Sequence, residues 1–216
     1  MRLLESAPRR YELGVRILTL GKLARVYDRL LDALVRPGAR VLDLGCGTGA
    51  LALGAARLGA RVVGMDVNPE MLAVAGTRAR SKGLSEKVEL REMGVAELGR
   101  EPAESFDVVT CGLLFSELGE DEIAHTLREV ERLLVPGGLL IVADEVRPEG
   151  LLRRIVHGLL RAPLAAITYL VSGQTSYPVV ALPEKVHAAG LLVSSVRWSG
   201  PLRSFIEMVA HKREGV

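Results

Sequence analysis

The chain has two cysteines, Cys46 and Cys111, among 216 residues. Two are too few for a disulfide framework, and they stand far from any metal-ligand spacing, so no metal site is expected and a reducing cytoplasm is the expected compartment. Basic charge is not clustered: the net charge is +2 and the arginines are scattered through helical patterns. This excludes the electrostatic footprint of a nucleic-acid binder. No uncharged apolar run reaches the ~18 residues that a spanning helix needs, so no transmembrane segment is expected. The opening residues, Met1 to Pro8, lack the long apolar stretch of a signal peptide. Internal repeats and low-complexity linkers are absent too. What remains is an ordinary globular composition, 49% hydrophobic and 25% charged, long enough for one α/β core.

The most informative segment is Val41-Leu42-Asp43-Leu44-Gly45-Cys46-Gly47-Thr48-Gly49-Ala50. It reads as an apolar strand, three glycines at alternate positions, then a helix start. Glycine permits a tight turn and a close backbone approach to a ligand. The free N–H groups of the following helix point at that ligand. Asp43 would repel a pyrophosphate, but it suits a ligand carrying an ammonium group or ribose hydroxyls. A second strand ends Val62-Val63-Gly64-Met65-Asp66. That acid lies about 20 residues past the loop, where nucleotide-binding α/β folds present a carboxylate to a ribose. Helix capping is the competing role for Asp66, but Asn68 before Pro69 also fits that task.

Strand and helix patterns alternate from residue 40 on. Strands are expected at 40–44, 61–66, 87–92, 106–111 and 138–144, and helices at 48–58, 69–82 and 121–134. Such alternation predicts a parallel sheet with helices on both faces. Residues 11–35 read as one or two amphipathic helices broken near Gly21, and Pro136-Gly137-Gly138 as a turn into the fifth strand. A short helix (183–189) and two strands (191–197, 204–211) close the chain. The turn Ser199-Gly200-Pro201 is too short for a crossover, so those two strands must be antiparallel.

The fingerprint Gly45-x-Gly47-x-x-Ala50 formally allows NAD, and a NAD-dependent oxidoreductase is one reading of the chain. Asp43 argues against a diphosphate. The 41–49 segment resembles the first motif of class I S-adenosylmethionine-dependent methyltransferases. Asp66-Val67-Asn68-Pro69-Glu70-Met71-Leu72 resembles their second. Phe106-Asp107-Val108-Val109 and Leu134-Val135-Pro136-Gly137-Gly138-Leu139-Leu140 resemble the fourth strand and the entry to the fifth. These segments span residues 40–145 in the family's order. The chain is most similar to the ubiquinone/menaquinone-methyltransferase-like group. Tyr27-Asp28 and Ala143-Asp144-Glu145-Val146-Arg147-Pro148 look most like the corrinoid protein-associated methyltransferases.

The resemblance implies a Rossmann-like, seven-stranded, mostly parallel sheet with an antiparallel last strand. It implies one methyltransferase domain over 1–216: an N-terminal helical cap (1–37), a cofactor core (38–149), a helical lid insertion (150–182) and a C-terminal helix and hairpin (183–216). S-adenosyl-L-methionine is the implied cofactor. Asp43 and the loop Gly45, Cys46, Gly47, Thr48 and Gly49 would hold its methionine part, with Tyr27 reaching that end from the N-terminal helix. Asp66 would take the ribose, with Val67 and Met71 against the adenine. Relatives often carry an acid after the third strand for the adenine amino group. Gly94 stands there instead, which leaves the backbone of Val95 and Ala96 for that contact. Relatives also often carry histidine after the fourth strand, where this chain has Phe115-Ser116-Glu117-Leu118.

Methyl transfer from a sulfonium is an in-line displacement with a neutral leaving group, so alignment and water exclusion come first. A general base serves only acceptors that must lose a proton. The candidates are Glu145, Glu117, His157 and Tyr177, with Glu145 foremost because it closes the fifth strand. The insertion is apolar and punctuated by Arg153, Arg154, His157 and Arg161. It suits a small or medium-sized acceptor such as a quinone precursor, a polyketide-like ring or a corrinoid; the same pattern suits a membrane surface or a partner protein, and its commonest cause is leucines that face the domain's own core. A non-catalytic accessory subunit that binds a corrinoid protein is the remaining reading.

Overall fold

The computed structural model describes Pro8 and residues 21–148, 150–153, 155–156, 159 and 177–214. The expected helix over 11–20, most of the insertion and His157 lie outside them. Seven strands form one sheet: β1 (Arg40–Leu44), β2 (Arg61–Asp66), β3 (Val88–Glu92), β4 (Phe106–Gly112), β5 (Leu134–Glu145), β6 (Leu192–Ser199) and β7 (Phe205–His211), in the order β3-β2-β1-β4-β5-β7-β6. Only β7 is reversed, antiparallel to both β5 and β6. The five named helices are α1 (Leu23–Leu34), α2 (Ala50–Arg57), α3 (Pro69–Ser81), α4 (Glu120–Leu133) and α5 (Leu182–Ala188).

The central strands are apolar on both faces because helices cover both faces of a parallel sheet. Leu42, Leu44, Val109, Cys111, Leu140 and Val142 share one core with α4 and α5. Val41, Val62, Val108, Ile141 and Ala143 share the other with α1 and α2. Each helix brings a stripe at helical spacing: Leu23, Tyr27 and Leu31 on α1, and Ile123, Leu127 and Val130 on α4. Glu120, Asp121 and Glu122 crowd the first turn of α4, where the helix dipole favours negative charge. Arg29 of α1 pairs with the buried Glu207 of β7, fastening the N-terminal helix to the reversed strand.

Element boundaries differ from the sequence pattern in two instructive places. Helix α2 starts at Ala50 and not at residue 48, because Gly49 sits at φ +85°, a left-handed conformation that cannot continue a helix. Strand β5 begins at Leu134, which pairs with Phe106, and the ladder resumes at Leu139 opposite Val108. Pro136-Gly137-Gly138 is therefore an irregularity within the strand, not a turn ahead of it.

Strand order reverses between β1 and β4, since the chain runs outward from β1 to β3 and then returns to β4. In open α/β sheets the crevice outside the strand ends at such a point receives the ligand.

Candidate functional site

The loop after β1 faces that crevice. Cys46 and Thr48 turn inward and are buried; the Thr48 hydroxyl accepts from Arg78 Nη1 at 2.9 Å. Burial pushes the Cys46 thiol well above its ordinary pKa, and the carboxylates of Asp43 and Asp66 push it further, so it is a packing residue and not a nucleophile. Gly47 lies at φ +52°, and a Cβ built on it would meet no atom of the described residues within 4 Å. The backbone is thus bare toward open space at the centre of the loop.

Two aspartates hold this loop in shape. Asp43 is 1% exposed, and both its oxygens are engaged inside the fold: Thr110 Oγ1 donates to Oδ1 at 2.6 Å and Ala52 N to Oδ2 at 2.9 Å. It ties β1 to β4 and to the first turn of α2. Asp66 spans the next gap. Gly47 N donates to its Oδ2 at 2.7 Å and Asn68 N to its Oδ1 at 2.8 Å. Asn68, not Asp66, caps α3, its Oδ1 accepting from Glu70 N at 2.9 Å and Met71 N at 3.3 Å. Each Asp66 oxygen has a second lone pair, so the brace leaves accepting capacity for hydroxyls.

Val67 is 70% exposed beside this carboxylate, an apolar side chain at the strand tip with its face open. Met71 is buried beneath the same turn. Gly94 packs against Val67: a Cβ there would lie 3.1 Å from Val67 Cγ1. Gly94 N donates to Glu97 Oε2 at 3.0 Å, so Glu97 is spent on its own turn and on Arg100, 2.7 Å away. Val95 is half-buried and Ala96 exposed at the start of that turn. Tyr27 is buried in the α1 core, and its hydroxyl lies so close to Gly112 at the end of β4 that any Cβ there would overlap it. Tyr27 is thus a packed helix residue whose hydroxyl stands at the end of β4.

The catalytic candidates converge only in part. Glu145 is half-buried at the end of β5, and its carbonyl accepts from Val179 N at 3.0 Å. Glu117 is exposed in the single turn Phe115–Glu117 after β4. Tyr177 is 70% exposed, and its N–H donates to Ser116 O at 2.7 Å, which sets it beside Glu117 on the same sheet edge. His157 is outside the described residues.

Asp144 is the residue the sequence reading passed over. It is fully buried, accepting from Phe115 N at 2.7 Å, Ser116 N at 3.4 Å and Glu145 N at 2.7 Å. It thereby fixes the turn that carries Glu117. The signal was available: with a two-residue period, adjacent acids at a strand tip must face opposite sides of the sheet. Thr110, a lone hydroxyl in an apolar strand, was a similar signal for Asp43. Among the described residues no group of three or more His, Cys, Asp or Glu could hold a metal ion.

Burial pushes both Asp43 and Asp144 from the ordinary 3.8 up to about 7, against the hydrogen bonds they accept. An acid whose pKa is higher folded than unfolded holds its proton longer in the folded state. Its stabilisation is complete below about pH 4 and is lost as pH rises toward 7. Urea unfolding at pH 5 is therefore expected to give a higher midpoint than at pH 8, by an equivalent on the order of a few kcal/mol. Asp43→Asn should shrink the difference; identical midpoints at the two pH values would contradict the assignment.

Fold and site together define a class I methyltransferase. The family described as "Methyltransferase domain" matches residues 41–138. The demethylmenaquinone methyltransferase of Thermus thermophilus is 36% identical over 205 residues, covering 88% of this chain and 90% of that protein. The ubiquinone biosynthesis O-methyltransferase of Xanthomonas campestris pv. campestris is 43% identical over 116 residues, which are 54% of this chain and 47% of that protein. The crystal structure of magnesium protoporphyrin IX methyltransferase from Synechocystis PCC 6803 with bound SAH superimposes with a TM-score of 0.68 at 21% identity, covering 92% of this chain and 85% of that one. The chain belongs to the class I S-adenosylmethionine-dependent methyltransferases, of the quinone-methyltransferase type. Its cofactor is S-adenosylmethionine, and its reaction is methyl transfer.

Proposed function

We propose that the acceptor is a demethylated quinone in its reduced, hydroxylated form. The observation that carries this is the Thermus relative, 36% identical along nine-tenths of its own length. Likeness of that extent reaches past the cofactor core into the segments that surround an acceptor.

S-adenosylmethionine, when bound, supplies an electrophilic methyl group on a sulfonium that leaves as a neutral thioether. The chain's own residues do the rest. The bare backbone of Gly47 lets the methionine portion approach closely, while Gly45 and Gly49 keep the loop clear of Leu114 and of Leu53 and Ala75. Asp43 acts on that end through the loop, which it ties to β4 and α2. Asp66 accepts from the ribose hydroxyls, and Val67 offers the exposed apolar face that a purine covers. The backbone at Val95 and Ala96 reads the adenine edge. Tyr27 closes the crevice above Gly112. A reduced quinone ring becomes a carbon nucleophile as a ring hydroxyl gives its proton to the Glu145 carboxylate; once the ring carbon has taken the methyl group it loses its own hydrogen as a proton, and the ring oxygen is protonated again. Glu117 and Tyr177 line the acceptor side and hold the ring in line.

Incubation with methyl-labelled S-adenosylmethionine and demethylmenaquinol should place label in the quinol. Calorimetry should show binding of S-adenosylhomocysteine and none of NAD. Binding without transfer to any quinol would remove the acceptor while keeping the cofactor site. A cobalamin arm in the same assay tests the corrinoid expectation directly.

A further inference from the structure

A second concavity lies among α1, α2 and α3. It holds about 530 Å³, inside the ~300–1,000 Å³ usual for small-molecule pockets. Asp43, Gly47, Asp66 and Val67 take no part in it, and of the cofactor loop only Thr48 and Gly49 line it. It is therefore a different space from the crevice at the strand tips. Helix α2 gives it one face, since Leu53, Gly54 and Arg57 recur at helical spacing. Asp28 enters from α1, Arg78 from α3, and Lys82 from the residue that ends α3.

Three cations thus meet one carboxylate around this space. They stand at positions 57, 78 and 82, and only the fold gathers them with Asp28. Arg57 Nη2 lies 3.1 Å from Asp28 Oδ1, but the two side chains are 61% and 54% exposed. So open an ion pair contributes little, and Arg57 can turn from Asp28 to a stronger anion. Lys82 has no carboxylate partner among the described residues. A cleft lined by one sign of charge focuses its field and raises the local concentration of counter-ions. A phosphoryl dianion matches this lining in charge: guanidinium groups offer forked donors to phosphate oxygens, and an ammonium adds a point charge. The remaining volume takes a small ring, with Leu84 as its apolar wall.

Arg78 connects this space to the cofactor loop. Its Nη1 donates to Thr48 Oγ1 at 2.9 Å, and Thr48 stands buried between Gly47 and Gly49. An anion beside Arg78 competes with Thr48 for the guanidinium. Its charge also opposes the carboxylate of a methionine portion held by the loop. Both effects act in the same direction, against the cofactor.

We propose that the groove among α1, α2 and α3 binds a phosphomonoester, and that its occupancy weakens cofactor binding through Arg78 and Thr48. The second half rests on the reading that the 45–49 loop holds the methionine end.

Titration calorimetry of the full chain with phenyl phosphate, at an ionic strength held constant with chloride, tests this. Lys82→Glu should weaken binding at least about tenfold and Arg57→Gln at least about threefold. Neither should change S-adenosylhomocysteine affinity when phosphate is absent. With rising phenyl phosphate the Kd for S-adenosylhomocysteine should climb at least about threefold and then level off, and S-adenosylhomocysteine should weaken phenyl phosphate by the same factor. Lys82→Glu should move that climb to higher phenyl phosphate. Absence of binding overturns the proposal, as does equal binding by Lys82→Glu. A climb that never levels off overturns it too, because phenyl phosphate would then occupy the cofactor crevice itself. A Kd for S-adenosylhomocysteine that stays unchanged at saturation overturns the coupling. Cofactor affinity without phosphate and transfer to demethylmenaquinol are read separately, so failure here stays distinct from failure of the methyltransferase reading.

Discussion

Gly47→Val is expected to yield a folded protein with no measurable affinity for S-adenosylhomocysteine. Gly47 sits at φ +52°, where a residue with a Cβ is strained by roughly 1–2 kcal/mol. That cost lowers the melting temperature by several degrees without unfolding the chain. The added Cβ meets no atom of the described residues within 4 Å. Its two methyl groups instead occupy the open space into which the loop presents its bare backbone. Titration calorimetry beside a thermal melt separates the two effects. Retained affinity in a folded variant would put the cofactor elsewhere.

Asp66→Ala is expected to weaken cofactor binding by about 1.5–3 kcal/mol, or roughly 10- to 150-fold in Kd, the range for hydrogen bonds to a charged group. Two contributions are folded into that figure. The carboxylate accepts from Gly47 N and Asn68 N, so its loss loosens the loop and the turn into α3. Its remaining lone pairs are those assigned to the ribose. A cofactor analogue lacking a ribose hydroxyl divides the two, because the substitution should cost less against that analogue than against S-adenosylhomocysteine. Equal losses would leave Asp66 as a brace alone, and no loss would remove it from the site.

Local chemistry made much of this legible in advance. Asn68 before Pro69 reads as a helix cap because its short side chain can meet only the next turn's N–H groups, and it does so. The antiparallel pairing of β6 and β7 followed from chain length, since so short a link after Ser199 cannot carry a crossover; that β7 is the reversed strand was what the family resemblance implied. Other features depend on partners distant in sequence. Asp43 and Thr110 are 67 positions apart and 2.6 Å apart in space. Asp144 meets Phe115 N across 29 positions. No local pattern encodes such pairings, and a buried acid looks the same in sequence as one that faces a ligand. The sequence drew attention to Glu145 at the tip of β5; the pleat then decided that its neighbour Asp144 would be the one to anchor the turn after β4.

From its sequence alone this protein was committed to an alternating α/β sheet, a glycine loop between two acids and a nucleoside-type cofactor, because those depend on periodicity, turn chemistry and spacing within a few dozen residues. Tertiary structure alone decided the division of labour between the acids: which are buried braces and which stand at the strand tips. Those outcomes depend on which strand tips become neighbours and on what is left to bury each side chain. That is set by long-range packing, which short-range pattern does not encode.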